Sequence, residues 1–174
     1  MKEKDMQLNT MKDLYVDQLR DLYSAEDQLT KALPKMAQAA SSSDLQKAFR
    51  DHLNETQQQK QRLEQIFSTL GMSPQGETCE AMKGLIKEGE EIINTHADSQ
   101  VKDAALIAAA QRVEHYEMAG YGTVRTFADE LGYNDAKDLL QTTLDEEGSA
   151  NKKLTSLAEG GLFSSGINQK AMAR

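Results

Sequence analysis

Residues 22–29 read LYSAEDQL, and the stretch 91 residues later, residues 113–120, reads VEHYEMAG. In the first stretch Glu26 interrupts an apolar face that repeats at helical spacing, and Glu117 does the same in the second. An acid in such a position is costly unless another group cancels its charge. These stretches therefore predict a helical fold that buries a polar site.

A second pair of acids follows the same offset, which indicates an internal duplication of a helical hairpin. Adding 91 takes Glu55 to Glu146, and each lies 29 residues after the first acid of its hairpin, Glu26 or Glu117. In an antiparallel hairpin this separation places both carboxylates at a similar height, so we expect the four to converge. Because Gly120 falls on a leucine, chance similarity between two amphipathic hairpins stays open as an alternative.

Composition favours one all-α domain. The chain has 174 residues, of which 39% are hydrophobic and 28% charged, with 2 prolines and no tryptophan. This length suits a single domain over residues 1–174. The abundance of helix-forming residues favours helices over strands, so we expect an all-α fold.

Charge and the N-terminus limit the classes of partner. The net charge is −8 and no basic stripe is present, so we expect no nucleic-acid partner. The segment Met1–Thr10 lacks an apolar signal core, and no stretch approaches the roughly 18 apolar residues of a membrane span. We therefore expect a cytoplasmic protein without a membrane partner. The single cysteine, Cys79, cannot form an intramolecular disulfide or a thiolate cluster.

Hydrophobic periodicity predicts two long hairpins joined by a shorter crossover helix. Thr10 and Asp13 form a capping-box pattern at the start, and Gly71 and Gly132 are positioned to end helices. The expected segments are long helices at about 11–40, 44–70, 100–131 and 134–160, a crossover helix at about 78–97 and a flexible tail at 162–174. The apolar stripe of the crossover helix could meet a second chain, which favours a C2 homodimer.

Two further groups of ligand type lie one helical turn from the repeated acids. Glu114 precedes Glu117, and His52 precedes Glu55, each by three residues. The candidate metal ligands are then Glu26, His52, Glu55, Glu114, Glu117 and Glu146. Carboxylates with imidazole and without thiolate favour two metal ions, most simply iron, with manganese as the second choice.

The ligand on the fourth helix stays open between two neighbours. The repeat selects Glu146, whereas heptad counting along the helix selects Glu147. Both are therefore retained as candidates.

Four segments resemble the YciE/YciF-type ferritin-like stress proteins, and the resemblance covers nearly the whole chain. These segments are LYSAEDQL (Leu22–Leu29), DHLNET (Asp51–Thr56), RVEHYEMAGYGT (Arg112–Thr123) and TLDEE (Thr143–Glu147). The resemblance implies a ferritin-like four-helix bundle with a crossover helix, a homodimer, and a metal site similar to the di-iron centre of rubrerythrins. Glu114 and Glu117 match the doubled glutamate that rubrerythrins carry on their third helix.

The sequence departs from this pattern at the second histidine. Ferritin-like enzymes carry Glu-x-x-His elements, but here Glu55 is followed three residues later by Gln58, and Glu146 by Ser149. We expect a di-iron stress protein that reacts with peroxide or oxygen, with an unidentified electron donor. The alternative is a non-catalytic metal-binding or structural bundle that acts through protein interaction. The acidic charge disfavours a DNA-protecting cage.

Overall fold

The computed structural model describes residues 8–161 and 164–173, and this part of the chain is almost entirely helical. Its elements are α1 (Met11–Ala39), α2 (Ser43–Leu70), α3 (Glu80–Asn94), α4 (Ser99–Glu130), α5 (Asn134–Glu159), β1 (Gly160–Gly161), β2 (Ser164–Ser165) and α6 (Ile167–Met172). The two short strands pair antiparallel. The expected all-α fold is confirmed, and α1 to α5 begin and end close to the expected positions.

The C-terminal segment differs from the flexible tail expected at 162–174. Residues 162, 163 and 174 lie outside the described residues. Helix α6 packs against α4 and α5, and its Ile167 is buried. Burial of Ile167 against these helices stabilises the short helix α6. Six residues are too few for hydrophobic periodicity to predict such a helix.

Local hydrogen bonds explain where the first hairpin begins and ends. The Thr10 hydroxyl accepts from the Asp13 amide at 3.1 Å, while the Asp13 carboxylate accepts from the Thr10 amide at 2.9 Å. These reciprocal bonds are the capping box that the sequence predicts. At the far end of the hairpin, Gly71 adopts the left-handed conformation (φ 67°), which glycine reaches without steric cost, and α2 stops.

The two hairpins, α1–α2 and α4–α5, lie side by side as a four-helix bundle. Helices α1 and α4 are antiparallel neighbours, because Ser41 near the end of α1 meets Asp103 near the start of α4, whereas Asp21 meets Tyr116. Helices α2 and α5 are also antiparallel neighbours, because Asp51 of α2 meets Lys153 of α5, whereas Arg62 meets Thr143.

Helix α3 lies on the outside of α1 and α4 and connects the two hairpins. The Cys79 amide at its start donates to the Ser24 hydroxyl at 2.9 Å, and Glu90 near its end pairs with Lys35 at 2.7 Å. It therefore runs parallel to α1 and returns the chain along the bundle. Its apolar stripe packs against the bundle core, with Met82 buried and its other large aliphatic residues half-buried, namely Leu85, Ile86, Ile92 and Ile93.

Gly120 marks the closest approach of α4 to α1. A Cβ atom at this position would lie 2.7 Å from Leu22 Cδ2, which is closer than side chains tolerate. The repeat aligns Gly120 with Leu29, and a leucine at position 120 would collide with Leu22. Packing between the hairpins therefore explains this mismatch in the repeat.

A buried polar layer separates the apolar core into two clusters. One cluster includes Leu29 and Phe49, and the other includes Leu22 and Leu63. The polar layer between them consists of Glu26, His52, Thr56, Gln59, Glu114, Glu117 and Glu147. Among the described residues, no helix has the length and apolar character needed to cross a membrane.

Candidate metal centre

Four residues of the polar layer form a compact group of ligand atoms. His52 comes from α2, Glu114 and Glu117 from α4, and Glu147 from α5. One nitrogen or oxygen atom of each lies within 4.8 Å of the others, and no member is more than 5% exposed. This group could hold a metal ion.

Helix periodicity places these side chains together. Glu114 and Glu117 are one turn apart, so both point to the same face of α4. The His52 ring faces them from α2, with Nε2 at 3.4 Å from Glu114 Oε1 and 4.0 Å from Glu147 Oε2.

Glu26 adds a fourth buried carboxylate, from α1. It is fully buried, the Tyr121 hydroxyl donates to its Oε1 atom, and its Oε2 atom has no hydrogen-bond partner. Burial, together with the charge of Glu147, raises the pKa of Glu26 to about 8. Tyr121 therefore orients one oxygen and leaves the other free to bind a cation.

Several buried donor atoms of the site lack partners within the described chain. They are both oxygens of Glu117 and one oxygen each of Glu26, Glu114 and Glu147. The two ring nitrogens of His52 lie 3.4 and 3.5 Å from Glu114 and Glu55 but make no hydrogen bond to them. Buried polar groups in folded proteins are normally paired, and an unpaired one costs about 1–3 kcal/mol. These atoms fit a bound metal ion, which would satisfy lone pairs from four helices at once.

The electrostatics of the site also favour a cation. Burial raises the pKa of Glu114 and Glu117 well above the ordinary value, and neighbouring carboxylates add to the effect. Burial alone would lower the pKa of His52, but Glu114, Glu55, Glu147 and Glu26 raise it to about 10. Without metal, the site therefore retains protons in place of the missing positive charge.

The two neighbouring acids of α5 have different surroundings. Arg62 binds Glu146 with two hydrogen bonds of 2.6 and 2.7 Å, and the Glu146 side chain remains 26% exposed. Glu147 is fully buried and belongs to the ligand group. Glu147 is therefore the α5 acid that faces the site, and Glu146, which the repeat selects, points to Arg62.

The same one-residue shift applies to α2. Glu55 is 43% exposed and reaches only the rim of the site, where its Oε2 lies 3.5 Å from His52 Nδ1. The inward position belongs to Thr56, which is fully buried. The offset of 91 pairs Thr56 with Glu147.

This shift also moves the elements that correspond to Glu-x-x-His. In the inward register they are Thr56-x-x-Gln59 on α2 and Glu147-x-x-Ala150 on α5, and both lack the histidine. Gln58 and Ser149, which the register of the repeat places there, are exposed. The chain still lacks the histidines of the ferritin-like pattern, but the residues at those positions are Gln59 and Ala150.

Thr56 and Gln59 were missed by the sequence analysis. Gln59 Nε2 donates to Glu147 Oε1 at 2.5 Å and to Glu146 Oε2 at 3.2 Å, while its Oε1 atom has no partner. Counting back from the core residue Leu63 in steps of four and three reaches Gln59, Thr56 and His52 in turn. That count would have identified both.

Comparisons with known proteins agree with this fold. The family model described as a domain of unknown function, DUF892, matches residues 10–172. Protein YciF of Escherichia coli (strain K12) is 48% identical over 154 residues, covering 88% of this chain and 93% of that protein.

Solved structures extend the comparison. The crystal structure of the E. coli stress protein YciF matches with a TM-score of 0.84 and 47% identity, over 86% of this chain and 95% of that chain. YcfI from Rhodopseudomonas palustris, described as a structural protein, matches with a TM-score of 0.84 and 49% identity, over 91% and 99% of the two chains. A Xanthomonas campestris protein at 18% identity (TM-score 0.69) shares the fold. The chain therefore belongs to the DUF892 family, as a YciF-type member.

Proposed function

We propose that this chain is a metal-binding stress protein whose polar layer holds two iron ions, with manganese as the second choice. The observation that supports the proposal is the set of buried carboxylate and imidazole atoms without partners. Hard oxygen donors with one imidazole suit these metals. The stress association comes from the description of the E. coli relative.

Five buried side chains would hold the ions. His52, Glu114, Glu117 and Glu147 form the compact group, and Glu26 adds a carboxylate from α1. Together they would supply one imidazole and four carboxylates.

Bound iron would supply one-electron chemistry between its ferrous and ferric states, which suits reduction of peroxide or oxygen. The protein supplies the environment. Apolar clusters on both sides keep bulk water from the layer. Tyr121 holds one oxygen of Glu26, and Gln59 holds one oxygen of Glu147. These bonds orient the free oxygens of the two acids towards the centre of the site.

A non-catalytic role is the second candidate. Thr56, Gln59 and Ala150 stand where ferritin-like enzymes carry an acid and two histidines, so the site has fewer ligands than theirs. The relative from R. palustris is described as a structural protein. In this case metal would stabilise the bundle without turnover.

Metal analysis followed by oxidation separates the two candidates. Protein purified without chelator and reconstituted anaerobically with ferrous iron should retain two ions per chain. Stoichiometric peroxide should then oxidise the bound iron, which optical absorption would follow. Retention of iron without oxidation by peroxide would favour the structural role. Failure to retain any metal would overturn the metal proposal.

A further inference from the structure

Two cavities reach the polar layer from different sides of the bundle. The first lies between α1, α3 and α4, encloses about 40 Å³, and ends at His52 and Glu114. The second lies between α2 and α5, encloses about 90 Å³, and ends at the same two residues. Small molecules could therefore approach His52 and Glu114 from two sides, and the lining of each cavity determines which molecules it admits.

The cavity beneath α3 is apolar along its length. Its mouth carries the ion pair between Lys35 and Glu90, and its inner end carries His52 and Glu114. Every other side chain that lines it is aliphatic, a methionine or absent, including Leu33, Met36, Ile86 and Gly89. A hydrogen-bonding solute would lose its bonds to water here without replacement.

The cavity between α2 and α5 is more polar. Its lining includes Glu55, Ser149 and Lys153 beside apolar residues such as Phe49 and Ala150. Lys153 is 47% exposed and pairs with Asp51 at 2.7 Å. Charged and hydroxyl groups along this opening can replace the hydration of an ion, a proton carrier or a peroxide molecule.

We propose that the apolar cavity beneath α3 is the route by which dioxygen reaches the metal centre, and that the opening between α2 and α5 admits peroxide and metal ions. The inference rests on the proposed metal function. It adds that dioxygen and peroxide reach the metal centre by different cavities. Dioxygen is neutral, diatomic and without strong hydrogen bonds. It therefore suits both the size and the lining of the first cavity.

Gly89 offers a way to close this route without touching a candidate ligand. A Cβ atom there would have Met36 Sδ at 3.7 Å as its nearest neighbour, which is an ordinary contact. Gly89→Ala is therefore the matched control, whereas Gly89→Leu extends a larger side chain into the cavity. Ile86→Phe, one turn earlier on α3, fills the same cavity and replaces Gly89→Leu should that variant not fold.

The first test uses metal-free protein and measures where dissolved dioxygen goes. Paramagnetic relaxation of methyl groups under oxygen pressure should be enhanced at Leu29 and Leu33, which are buried and line the cavity, relative to Leu63 and Leu140 of the other core cluster. Gly89→Leu should reduce the enhancement at Leu33 to the level of Leu63, and Gly89→Ala should preserve it. Equal enhancement in both clusters, or no effect of Gly89→Leu, would overturn the proposal.

The second test compares oxidants on protein loaded with ferrous iron. Two ferrous ions lose one electron each to dioxygen, which takes up two protons and leaves as hydrogen peroxide. Gly89→Leu should slow this oxidation by about an order of magnitude, as expected when a gate is closed. It should leave oxidation by added peroxide unchanged, while Ala150→Leu in the second opening should slow the peroxide reaction.

The two proposals fail separately. Wild-type protein that takes up no iron would overturn the metal function alone, since the relaxation measurement on metal-free protein still decides the route of dioxygen. The wild type could instead bind iron while Gly89→Leu slows iron oxidation by dioxygen and by peroxide equally. That result would overturn the selectivity, because a single route would then serve both oxidants.

Discussion

At the scale of single residues, the polar layer contains more acids than bases. Glu26, Glu117 and Glu147 are fully buried, and His52 is the basic residue of the layer. Arg62 lies at the edge and is bound to Glu146. Buried charges of one sign require protons or bound cations, because the apolar surroundings screen them poorly. The surroundings of each acid therefore distinguish candidate ligands from acids that hold the bundle together.

The pair Glu146 and Glu147 provides the sharpest residue-level prediction. Glu147→Gln should weaken binding of ferrous or cobaltous ion by at least about tenfold, since mutation of even the outer partners of metal ligands costs that much. Glu146→Gln alters the pair with Arg62 and the longer hydrogen bond from Gln59 but leaves Glu147 in place, so it should leave the affinity near that of the wild type. Anaerobic titration calorimetry would measure both. A larger loss from Glu146→Gln would assign the site to the register of the repeat.

A histidine added at the inward register should improve metal retention. Ala150 lines the opening beside His52 and Glu114 and lies three residues after Glu147, so Ala150→His places a nitrogen where ferritin-like sites carry one. Ser149→His, three residues after Glu146, is the control, because Ser149 is an exposed residue of the same opening. Iron retained after dialysis should rise for Ala150→His and not for Ser149→His. The reverse result would contradict the inward register.

At the scale of secondary-structure elements, contacts between α1 and α4 hold the hairpins together. Asp103 of α4 is fully buried and accepts hydrogen bonds from the amides of Ser41 and Ser42 and from the Ser41 hydroxyl, at 2.7–2.8 Å. One carboxylate thus closes the turn between α1 and α2. Further along, Leu22 packs directly on Gly120.

Two glycines of α4 should respond in opposite directions to alanine. Gly120→Ala brings a methyl group against Leu22 and should destabilise the fold by about 1–3 kcal/mol, the usual cost of overpacking. A methyl group on Gly122 meets no atom within 4 Å, so Gly122→Ala should stabilise by roughly 0.5–1 kcal/mol through helix propensity. Urea denaturation would measure both. Equal effects would show that Leu22 moves aside.

At the scale of the whole molecule, the polar layer makes the stability of the metal-free protein depend on pH. The folded state holds protons on Glu26, with a pKa near 8, that the unfolded chain releases near 4.5. The pKa of Glu114 and Glu117 is raised in the same direction, by burial. His52 likewise keeps its proton to about pH 10, whereas the unfolded chain releases it near 6.5. Each of these groups stabilises the fold at low pH and loses that contribution as the pH rises.

The unfolding free energy of metal-free protein should therefore fall between pH 5 and pH 8. Bound metal replaces the protons, so the metal-loaded protein should show a weaker dependence over the same range. Exposed acids whose pKa is lowered by ion pairs, such as Asp27 and Asp51, titrate below this window and do not mask the effect. Urea denaturation with chelator and with metal would measure the difference. A flat response of the metal-free protein would contradict convergent buried acids.

Association is a further proposal at this scale. We propose a homodimer in which the part of the α3 stripe left half-buried, including Leu85 and Ile86, contacts a second chain. Sedimentation equilibrium should give twice the chain mass, and Leu85→Glu should shift the population towards monomer. Sedimentation of the wild type as a monomer, or as a cage of many copies, would contradict this.

The sequence by itself determined the elements and the height of the polar layer. Helices follow from the local spacing of apolar residues and caps, so α1 to α5 and the hairpin pairing could be predicted. Glu26, His52, Glu114 and Glu117 interrupt or adjoin apolar stripes, and the structure places all four in the layer.

Heptad counting along α5 selects Glu147 and the repeat selects Glu146, and only the tertiary structure decided between these two residues. Moving from Glu146 to Glu147 rotates the side chain by about 100° around α5, and a repeat offset does not record that rotation. Packing against α2 decides it, since Arg62 draws Glu146 outward while Gln59 binds Glu147 in the interior. The cavity beneath α3 likewise forms only where α1, α3 and α4 meet. The partners of the two acids and the cavity arise between helices, and the periodicity of a single helix does not record them.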